Sequence, residues 1–323
     1  MKLENVRNYI ENRIIGQKTL VDNMLITLIS GGHLLIEGMP GLAKTTATKA
    51  LADAISSDFK RIQFTPDLLP SDITGSDIFI KEKDAFEFHQ GPLFNNIILA
   101  DEINRAPAKV QSALLEAMEE KQVTVGLNTR KLPDLFMVIA TQNPIEQEGT
   151  YNLPEAQMDR FMMKAVIEYP TFDEELEILR LKSGKERLDK KKKNADVVTA
   201  QQEIFQARAK ADEVYLDEKI ENYIVSIVSC TRDPLKYSKE LDKLIRYGAS
   251  PRASISLLKC AKAGALIEGT DYVAPHHVQQ VAYEILRHRI APSFEAEADN
   301  ISTDDIIEQI LQEEDHLLKK EEL

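Results

Sequence analysis

One glycine-rich stretch limits the fold of this chain more than any other feature. The segment from Gly38 to Thr45 follows an apolar run that ends at Ile36 and precedes a helical pattern that starts at Lys44. A strand, a glycine-rich loop and a helix in this order let backbone N–H groups and the positive end of the helix surround an anion. The stretch therefore predicts an α/β core with an anion site after the first strand.

The side chains at the end of this loop suit a phosphate chain. Lys44 supplies a positive charge, and the Thr45 hydroxyl can bind Mg²⁺. The stretch matches the P-loop pattern except that Ala43 replaces the second glycine, and alanine is strained at positive φ. We therefore expect the loop to avoid left-handed geometry at residue 43. An ordinary glycine-rich turn is the alternative. The residues expected to bind the phosphates are Gly38, Met39, Pro40, Gly41, Leu42, Ala43, Lys44, Thr45 and Thr46.

Two further polar positions follow buried apolar runs. Asp101 and Glu102 close the run that starts at Ile97, and Asn143 follows the run that ends at Ala140. Beside a P-loop, Asp101 can hold Mg²⁺ through water and Glu102 can polarise an attacking water. If the strand before Asn143 lies between the other two, its amide can reach the γ-phosphate. The alternatives are a strand end that turns polar in solvent and an Asn-Pro turn.

The pattern of the chain changes after Pro170. Up to there, short apolar runs alternate with helical patterns, which is typical of a parallel α/β sheet, and two polar hairpins interrupt it at 78–88 and 123–132. The rest is almost entirely helical, with a charged loop near 184–199. We predict an αβα nucleotide-binding core over 1–171 and an all-helical lid domain over 172–323.

Composition excludes several classes of protein. The net charge of −13 opposes a phosphate backbone, so nucleic acid is a poor candidate partner. No uninterrupted apolar run approaches the ~18 residues of a membrane helix, and no signal peptide is recognisable. Cys230 and Cys260 are too few for a disulfide framework, which fits a cytoplasmic location. His276 and His277 have no cysteine or acidic pair near them in sequence, so we expect no metal site there.

Several motifs, spread over roughly residues 15–290, resemble those of the MoxR family of AAA+ ATPases. The second glycine of the loop is commonly alanine in that family, so Ala43 is no departure from it. The resemblance also implies the helix-2 insert and pre-sensor hairpin that the family shares with magnesium-chelatase ATPase subunits. The motifs are Ile15-Gly16-Gln17, Gly38 to Thr45, Ile98 to Pro107, Ala140 to Pro144, Leu153 to Phe161, and Gly248 to Arg252.

The resemblance implies a role for each matching residue. It makes the loop lysine and threonine the Walker A pair and the two strand-end acids the Walker B pair. It places two residues near the adenine and adds three sensing or finger residues. These are Gly16 and Gln17 near the adenine, Lys44 and Thr45 in Walker A, Asp101 and Glu102 in Walker B, Asn143 as sensor 1, Arg160 as arginine finger and Arg252 as sensor 2.

Without the family, the arginines carry weaker signals. Arg160 would pair with a neighbouring carboxylate in its own chain. Arg252, in the first turn of a helix, faces an unfavourable dipole, which suggests a nearby anion such as a γ-phosphate. Arg105 could face the site or a neighbouring subunit, and we leave it unassigned.

The resemblance implies an ATP-hydrolysing, Mg²⁺-dependent AAA+ machine with chaperone-like work in maturation, assembly or metal insertion of a protein client. It also implies a von Willebrand factor A domain partner and a homo-oligomeric ring of six when ATP is bound. The alternatives are a magnesium-chelatase-like motor subunit, a nucleic-acid-associated AAA+ motor, and a scaffold that binds ATP without turnover. The client itself is not readable from the sequence.

Overall fold

The computed structural model describes residues 3–39, 41–144, 149–183 and 200–321. Pro40 and the predicted charged loop at 184–199 lie outside the described residues. The chain divides into two compact units. The first unit comprises Met1–Leu153 and Ala165–Phe205, and the second comprises Pro154–Lys164 and Gln206–Leu323.

The strands begin and end close to the apolar runs of the sequence. The runs near Leu34, Ile97 and Met137 are buried along their length, as strands covered on both faces require. Up to residue 167 the strands are β1 (Leu34–Gly38), β2 (Phe59–Gln63), β3 (Gly75–Ile80), β4 (Ala85–Gln90), β5 (Ile97–Asp101), β6 (Gln122–Val125), β7 (Asn128–Lys131), β8 (Met137–Gln142) and β9 (Met163–Ile167).

Five of these strands form the central sheet, in the order β2-β5-β8-β1-β9. The pairs β2/β5, β5/β8 and β8/β1 are parallel, with Gln63 opposite Asp101 and Leu34 opposite Ile139. Strand β8 therefore lies between β1 and β5, which was the condition set for Asn143. The sequence patterns did not predict β2, where Ile62 alone is buried. This strand forms one edge of the sheet.

The two predicted hairpins are present. β3 pairs with β4 around a 3₁₀ turn at Lys81–Lys83, and β6 pairs with β7. The exposed Leu127 follows Gly126, whose φ of 60° supplies the left-handed turn. Both hairpins belong to the first unit and form separate two-stranded sheets.

The second and fifth helices bury an apolar stripe, which includes Leu20, Met24 and Leu28 in the second and Val110, Leu114 and Met118 in the fifth. The helices up to residue 213 are α1 (Leu3–Glu11), α2 (Lys18–Ser30), α3 (Lys44–Ala54), α4 (Pro70–Thr74), α5 (Ala108–Glu120), α6 (Glu155–Met158), α7 (Phe172–Lys182) and α8 (Gln201–Glu213).

The second unit is helical apart from one antiparallel pair of short strands, β10 (Ile245–Tyr247) and β11 (Ala291–Pro292), which the sequence patterns did not predict. Ser250 caps the helix that starts at Pro251, and Gly269 ends it in the left-handed conformation. The helices are α9 (Glu218–Arg232), α10 (Lys239–Leu244), α11 (Pro251–Glu268), α12 (Pro275–Leu286), α13 (Phe294–Ala298) and α14 (Thr303–Glu321).

The parallel sheet with its helices, followed by a helical unit, confirms the predicted fold class. Within the described ranges, none of the helices has both the length and the apolar character needed to cross a bilayer.

Candidate functional site

The glycine-rich loop connects β1 directly to α3. Gly38 ends the strand, and the Lys44 ammonium folds back to donate a 2.7 Å hydrogen bond to the Gly38 carbonyl. Burial lowers the pKa of Lys44, and the nearby Asp101 and Glu102 carboxylates partly offset that shift. A cation held in a half-buried loop at the start of a helix is suited to an incoming phosphate chain.

The expectation for Ala43 was wrong. Its φ of 56° and ψ of 16° place it in the left-handed region, at the N-cap of α3. Its carbonyl accepts the first helical hydrogen bond from Ala47 N, at 2.9 Å. A left-handed alanine costs roughly 1–2 kcal/mol, which a well-packed surrounding structure can sustain. The tight change from strand to helix therefore determines the backbone here, against the intrinsic preference of the residue.

Asp101 ends β5, and both of its carboxylate oxygens have partners. Thr141 Oγ1 donates to Oδ1 at 2.6 Å. Arg61, on the neighbouring strand β2, donates to Oδ2 from Nε at 3.0 Å and from a terminal nitrogen at 2.6 Å. The same guanidinium nitrogen also reaches Gln63 Oε1 at 2.8 Å.

Glu102 has a left-handed backbone, with φ 57° and ψ 52°. Its Oε2 accepts hydrogen bonds from Gln63 Nε2 at 2.7 Å and from Arg105 at 2.8 Å. Its backbone N–H donates to Thr141 Oγ1 at 2.9 Å. Both strand-end acids are thus held by basic or amide side chains. Arg105, which the sequence left unassigned, contacts Glu102.

A single cavity of about 330 Å³ brings most of the predicted residues together. Asn143, which is buried, follows the carboxyl end of β8 and reaches this cavity from between β1 and β5. The carboxyl ends of parallel strands are where open α/β sheets bind ligands. The cavity is lined by Gly41, Leu42, Ala43, Lys44, Thr45, Thr46, Arg61, Asp101, Glu102 and Asn143.

Gly16 and Gln17 do not line this cavity, which leaves their predicted adenine contact untested. Gly16 has a φ of 75°, which favours glycine, and a Cβ there would lie 2.7 Å from the Glu174 carboxyl carbon, so the Glu174 side chain would have to shift. Gln17 Nε2 donates to the Glu168 carbonyl at 3.4 Å. Gly38 and Met39 also lie outside the cavity lining.

Arg160 and Arg252 belong to the second unit, together with the short helix α6. Arg160 follows α6 and is half-buried, whereas Arg252 is exposed in the first turn of α11. The Arg252 backbone N–H donates to the Ser250 hydroxyl at 3.2 Å.

A buried ion pair holds the segment that carries Arg160. Arg289 Nε donates to Asp159 Oδ1 at 2.7 Å, and the Ser250 hydroxyl donates to Asp159 Oδ2 at 2.8 Å. The other Arg289 nitrogens donate to backbone carbonyls, including that of Phe161 at 2.7 Å. Asp159 therefore joins the segment of Arg160 to the helix of Arg252. The sequence patterns gave no sign of this network.

His276 and His277 do have an acid beside them, contrary to the expectation. Glu268 Oε2 lies 3.3 Å and 3.0 Å from their Nε2 atoms. The Ala274 backbone N–H donates to His277 Nδ1 at 2.9 Å, so the ring proton is on Nε2 and points to Glu268. Burial lowers the pKa of His277. A neutral His277 that donates to Glu268 accounts for that contact. The ligand atoms of Glu268, His276 and His277 lie within 4.8 Å of one another, so the absence of a metal site stays a prediction.

Arg61, Gln63, Thr141 and Arg105 were not assigned to the site from the sequence. A usable signal existed for the first two. They alternate with the buried Ile62, as residues on one face of an edge strand do.

Comparison with known proteins identifies both parts of the chain. Residues 33–163 match the family described as "ATPase family associated with various cellular activities (AAA)", and residues 239–310 match "AAA lid domain". The crystal structure of a Cytophaga hutchinsonii protein proposed to be an ATPase superposes with a TM-score of 0.87 at 47% identity. That match covers 97% of this chain and 94% of the other.

Three curated relatives match over most of their length. The Mycobacterium tuberculosis protein named Chaperone MoxR1 is 42% identical over 96% of this chain and 81% of its own. YeaC of Bacillus subtilis is 43% identical over 94% of this chain and 91% of its own. The Paracoccus denitrificans protein named MoxR is 28% identical, over 87% of each chain.

Proposed function

Because the chain belongs to the MoxR family of AAA+ ATPases, we propose that it hydrolyses Mg²⁺-bound ATP to drive chaperone-like work on a protein client. One observation carries the ATPase proposal. Lys44, Thr45, Asp101, Glu102 and Asn143 line the same cavity, although they come from three different strand ends.

The donor set of this cavity fits ATP and Mg²⁺. Thr45 offers a hydroxyl and Asp101 a carboxylate, which are hard oxygen ligands of the kind Mg²⁺ prefers. When bound there, Mg²⁺ would neutralise charge that develops on the phosphates. Lys44 would exchange its bond to the Gly38 carbonyl for the β- and γ-phosphates, and the loop N–H groups would hold the remaining oxygens.

Glu102 and Asn143 have the chemistry to handle the attacking water. Glu102 would accept the proton of that water, and the Asn143 amide would orient the water or the γ-phosphate. Glu102 Oε2 is bonded to Gln63 and Arg105, so the proton of the water would go to Oε1, or to Oε2 after one of these partners has left.

Two substitutions test the ATPase assignment. Lys44→Ala should abolish measurable nucleotide binding, while Lys49→Ala, on the exposed face of the same helix, should bind like the parent. Glu102→Gln should still bind ATP but hydrolyse it at least about 10²-fold more slowly. Binding is measured with a fluorescent ATP analogue and turnover by phosphate release. Undiminished binding by Lys44→Ala would overturn the P-loop assignment.

We also propose that Arg160 acts in the active site of a neighbouring subunit within a six-membered ring, with Arg252 as a second phosphate sensor. Arg160 follows Asp159, which is anchored by Arg289, and this supports a fixed orientation of the segment that carries Arg160. An arginine that stabilises the transferring phosphoryl group is worth roughly 10³–10⁵ in rate in well-studied cases. The alternative is that Arg160 is structural within its own chain.

Mixing inactive variants separates these alternatives. Arg160→Ala subunits retain an ATP site without a finger, and Lys44→Ala subunits retain a finger without an ATP site. If Arg160 acts in trans, mixed oligomers should regain part of the ATPase activity. Mixed oligomers that form and stay as inactive as the separate variants would refute it.

The name of the 42% identical relative supports a chaperone role. We propose that client contact passes through a von Willebrand factor A domain protein in the cytoplasm. Glu102→Gln in ATP should retain the client or that partner on an affinity column, and Lys44→Ala should not. Equal capture by both variants would contradict ATP-dependent client binding.

A further inference from the structure

The pairing of Arg61 with Asp101 is unusual for a carboxylate that is expected to serve Mg²⁺. Arg61 lies on the edge strand β2, and its register partner on β5 is Leu99. Its guanidinium nevertheless reaches along the sheet to the end of β5. There both Nε and a terminal nitrogen donate to the single oxygen Oδ2 of Asp101.

These contacts occupy three of the roughly four lone-pair sites of the Asp101 carboxylate. A carboxylate oxygen has two lone pairs for hydrogen bonds in its plane. Oδ2 spends both on Arg61, and Oδ1 accepts the short bond from Thr141. For Asp101 Oδ2 to accept a metal-bound water, Arg61 has to give up at least one of its two bonds.

Charge adds to this competition. The Asp101 side chain is 14% exposed, so water screens the interaction between its carboxylate and the Arg61 guanidinium only weakly. A second cation placed beside Asp101 is repelled by Arg61. The Arg61 side chain is 48% exposed and lines the cavity together with Lys44 and Thr45, so it has room to turn towards an anion there.

We propose that Arg61 is a positioning residue that occupies the metal carboxylate Asp101, turns to the phosphates of metal-free nucleotide, and gives up both when Mg²⁺ binds. This inference rests on the proposed ATP and Mg²⁺ site. Arg61 thereby reduces the factor by which Mg²⁺ tightens nucleotide binding. It does so in two ways, since it competes for Asp101 and supplies a positive charge to metal-free nucleotide.

The test is the ratio between the Kd of a fluorescent, non-hydrolysable ATP analogue in EDTA and its Kd in saturating Mg²⁺. In Arg61→Gln both effects raise this ratio, because Asp101 becomes available and metal-free nucleotide loses a cation. We expect an increase of about fivefold or more, the change that an ion pair of about 1 kcal/mol corresponds to. Arg61→Lys keeps the charge but loses the fork, and should lie between the parent and Arg61→Gln.

Lys60→Gln is the matched control. Lys60 precedes Arg61 on the same strand and is exposed, with its side chain on the opposite face, so it removes one charge without touching Asp101. Its ratio should equal that of the parent. An unchanged or smaller ratio in Arg61→Gln would overturn the inference.

Failure of the proposed function looks different. If the parent protein binds the analogue equally well with and without Mg²⁺, the proposed Mg²⁺ site itself is wrong. A parent with clear metal dependence and an Arg61→Gln variant with the same ratio would remove only the role of Arg61.

Discussion

Two arginine–carboxylate pairs in this protein share one chemistry and differ in burial. In the second unit, Arg289 is 2% exposed and its partner Asp159 is 17% exposed. In the first unit, Asp101 is similarly covered at 14%, but Arg61 is 48% exposed. The carboxylates are alike, and the arginines are not.

The environment of each arginine explains the difference in use. Arg289 makes five hydrogen bonds, two to Asp159 and the others to backbone carbonyls of three residues. It therefore has no alternative position that satisfies its N–H groups. Among the residues that the structure describes, Arg61 bonds to the side chains of Asp101 and Gln63, and it can exchange them for water or an anion. A buried guanidinium such as that of Arg289 fixes the structure around it, whereas a half-exposed one such as that of Arg61 can release its carboxylate partner.

The largest effect is expected from breaking the buried pair. Arg289→Met leaves the Asp159 carboxylate without its counter-charge, which should lower the free energy of unfolding of the second unit by about 3–5 kcal/mol. Arg246→Met is the control, because the Arg246–Glu155 pair in the same unit is exposed and 3.8 Å apart, and should change little. Urea unfolding followed by circular dichroism measures both. Equal midpoints for the two variants would show that burial does not distinguish these pairs.

Acid should weaken the buried region next. His288 is completely buried beside Arg289 and bonds to the Phe161 carbonyl at 3.0 Å. Burial, and then the charge of Arg289, holds its pKa well below the ordinary 6.5. The unfolded chain takes up a proton near pH 6.5 and the folded chain does not, so stability is full above pH 6.5 and falls as the pH drops towards the folded pKa.

The slope should approach about 1.4 kcal/mol per pH unit for this one histidine, with a smaller contribution of the same sign from His277. Urea midpoints between pH 7.5 and 5.5 measure it. His288→Gln should flatten the dependence, and a slope that survives this substitution would assign it to other groups.

The smallest effect is expected from the exposed pair. Arg61→Gln should change the free energy of unfolding by less than about 1 kcal/mol, because half of the guanidinium is already hydrated. The same urea titration measures it. A loss as large as that of Arg289→Met would mean that Arg61 is structural, and would count against its exchange between Asp101 and nucleotide.

Local patterns predicted the fold well, because the apolar residues of each buried strand are consecutive in the sequence. The strands before Gly38, Asp101 and Asn143 are continuous apolar runs, and the strand order agrees with the requirement on Asn143. Strand β2 was missed because an edge strand with one buried residue has no apolar run to recognise.

The candidate site was predictable in its chemistry but not in its pairings. Lys44, Asp101 and Glu102 are adjacent to recognisable loop and strand ends. The partners of the acids are not, because Arg61 is 40 residues from Asp101 and Arg289 is 130 residues from Asp159. Ala43 shows a further limit, since the backbone conformation imposed by a tight strand-to-helix connection overrides the preference of the residue.

Strand β2 also links the hairpin of β3 and β4 to the two acids. Beyond Gln63 the chain passes through the short helix α4 into the hairpin of β3 and β4, and β2 has a neighbour on one side only, strand β5. The hairpin is thus connected to an edge strand. That strand contacts the two acids through hydrogen bonds from Arg61 to Asp101 and from Gln63 to Glu102. A partner that displaced the hairpin would therefore act on the carboxylates through β2, without touching the nucleotide.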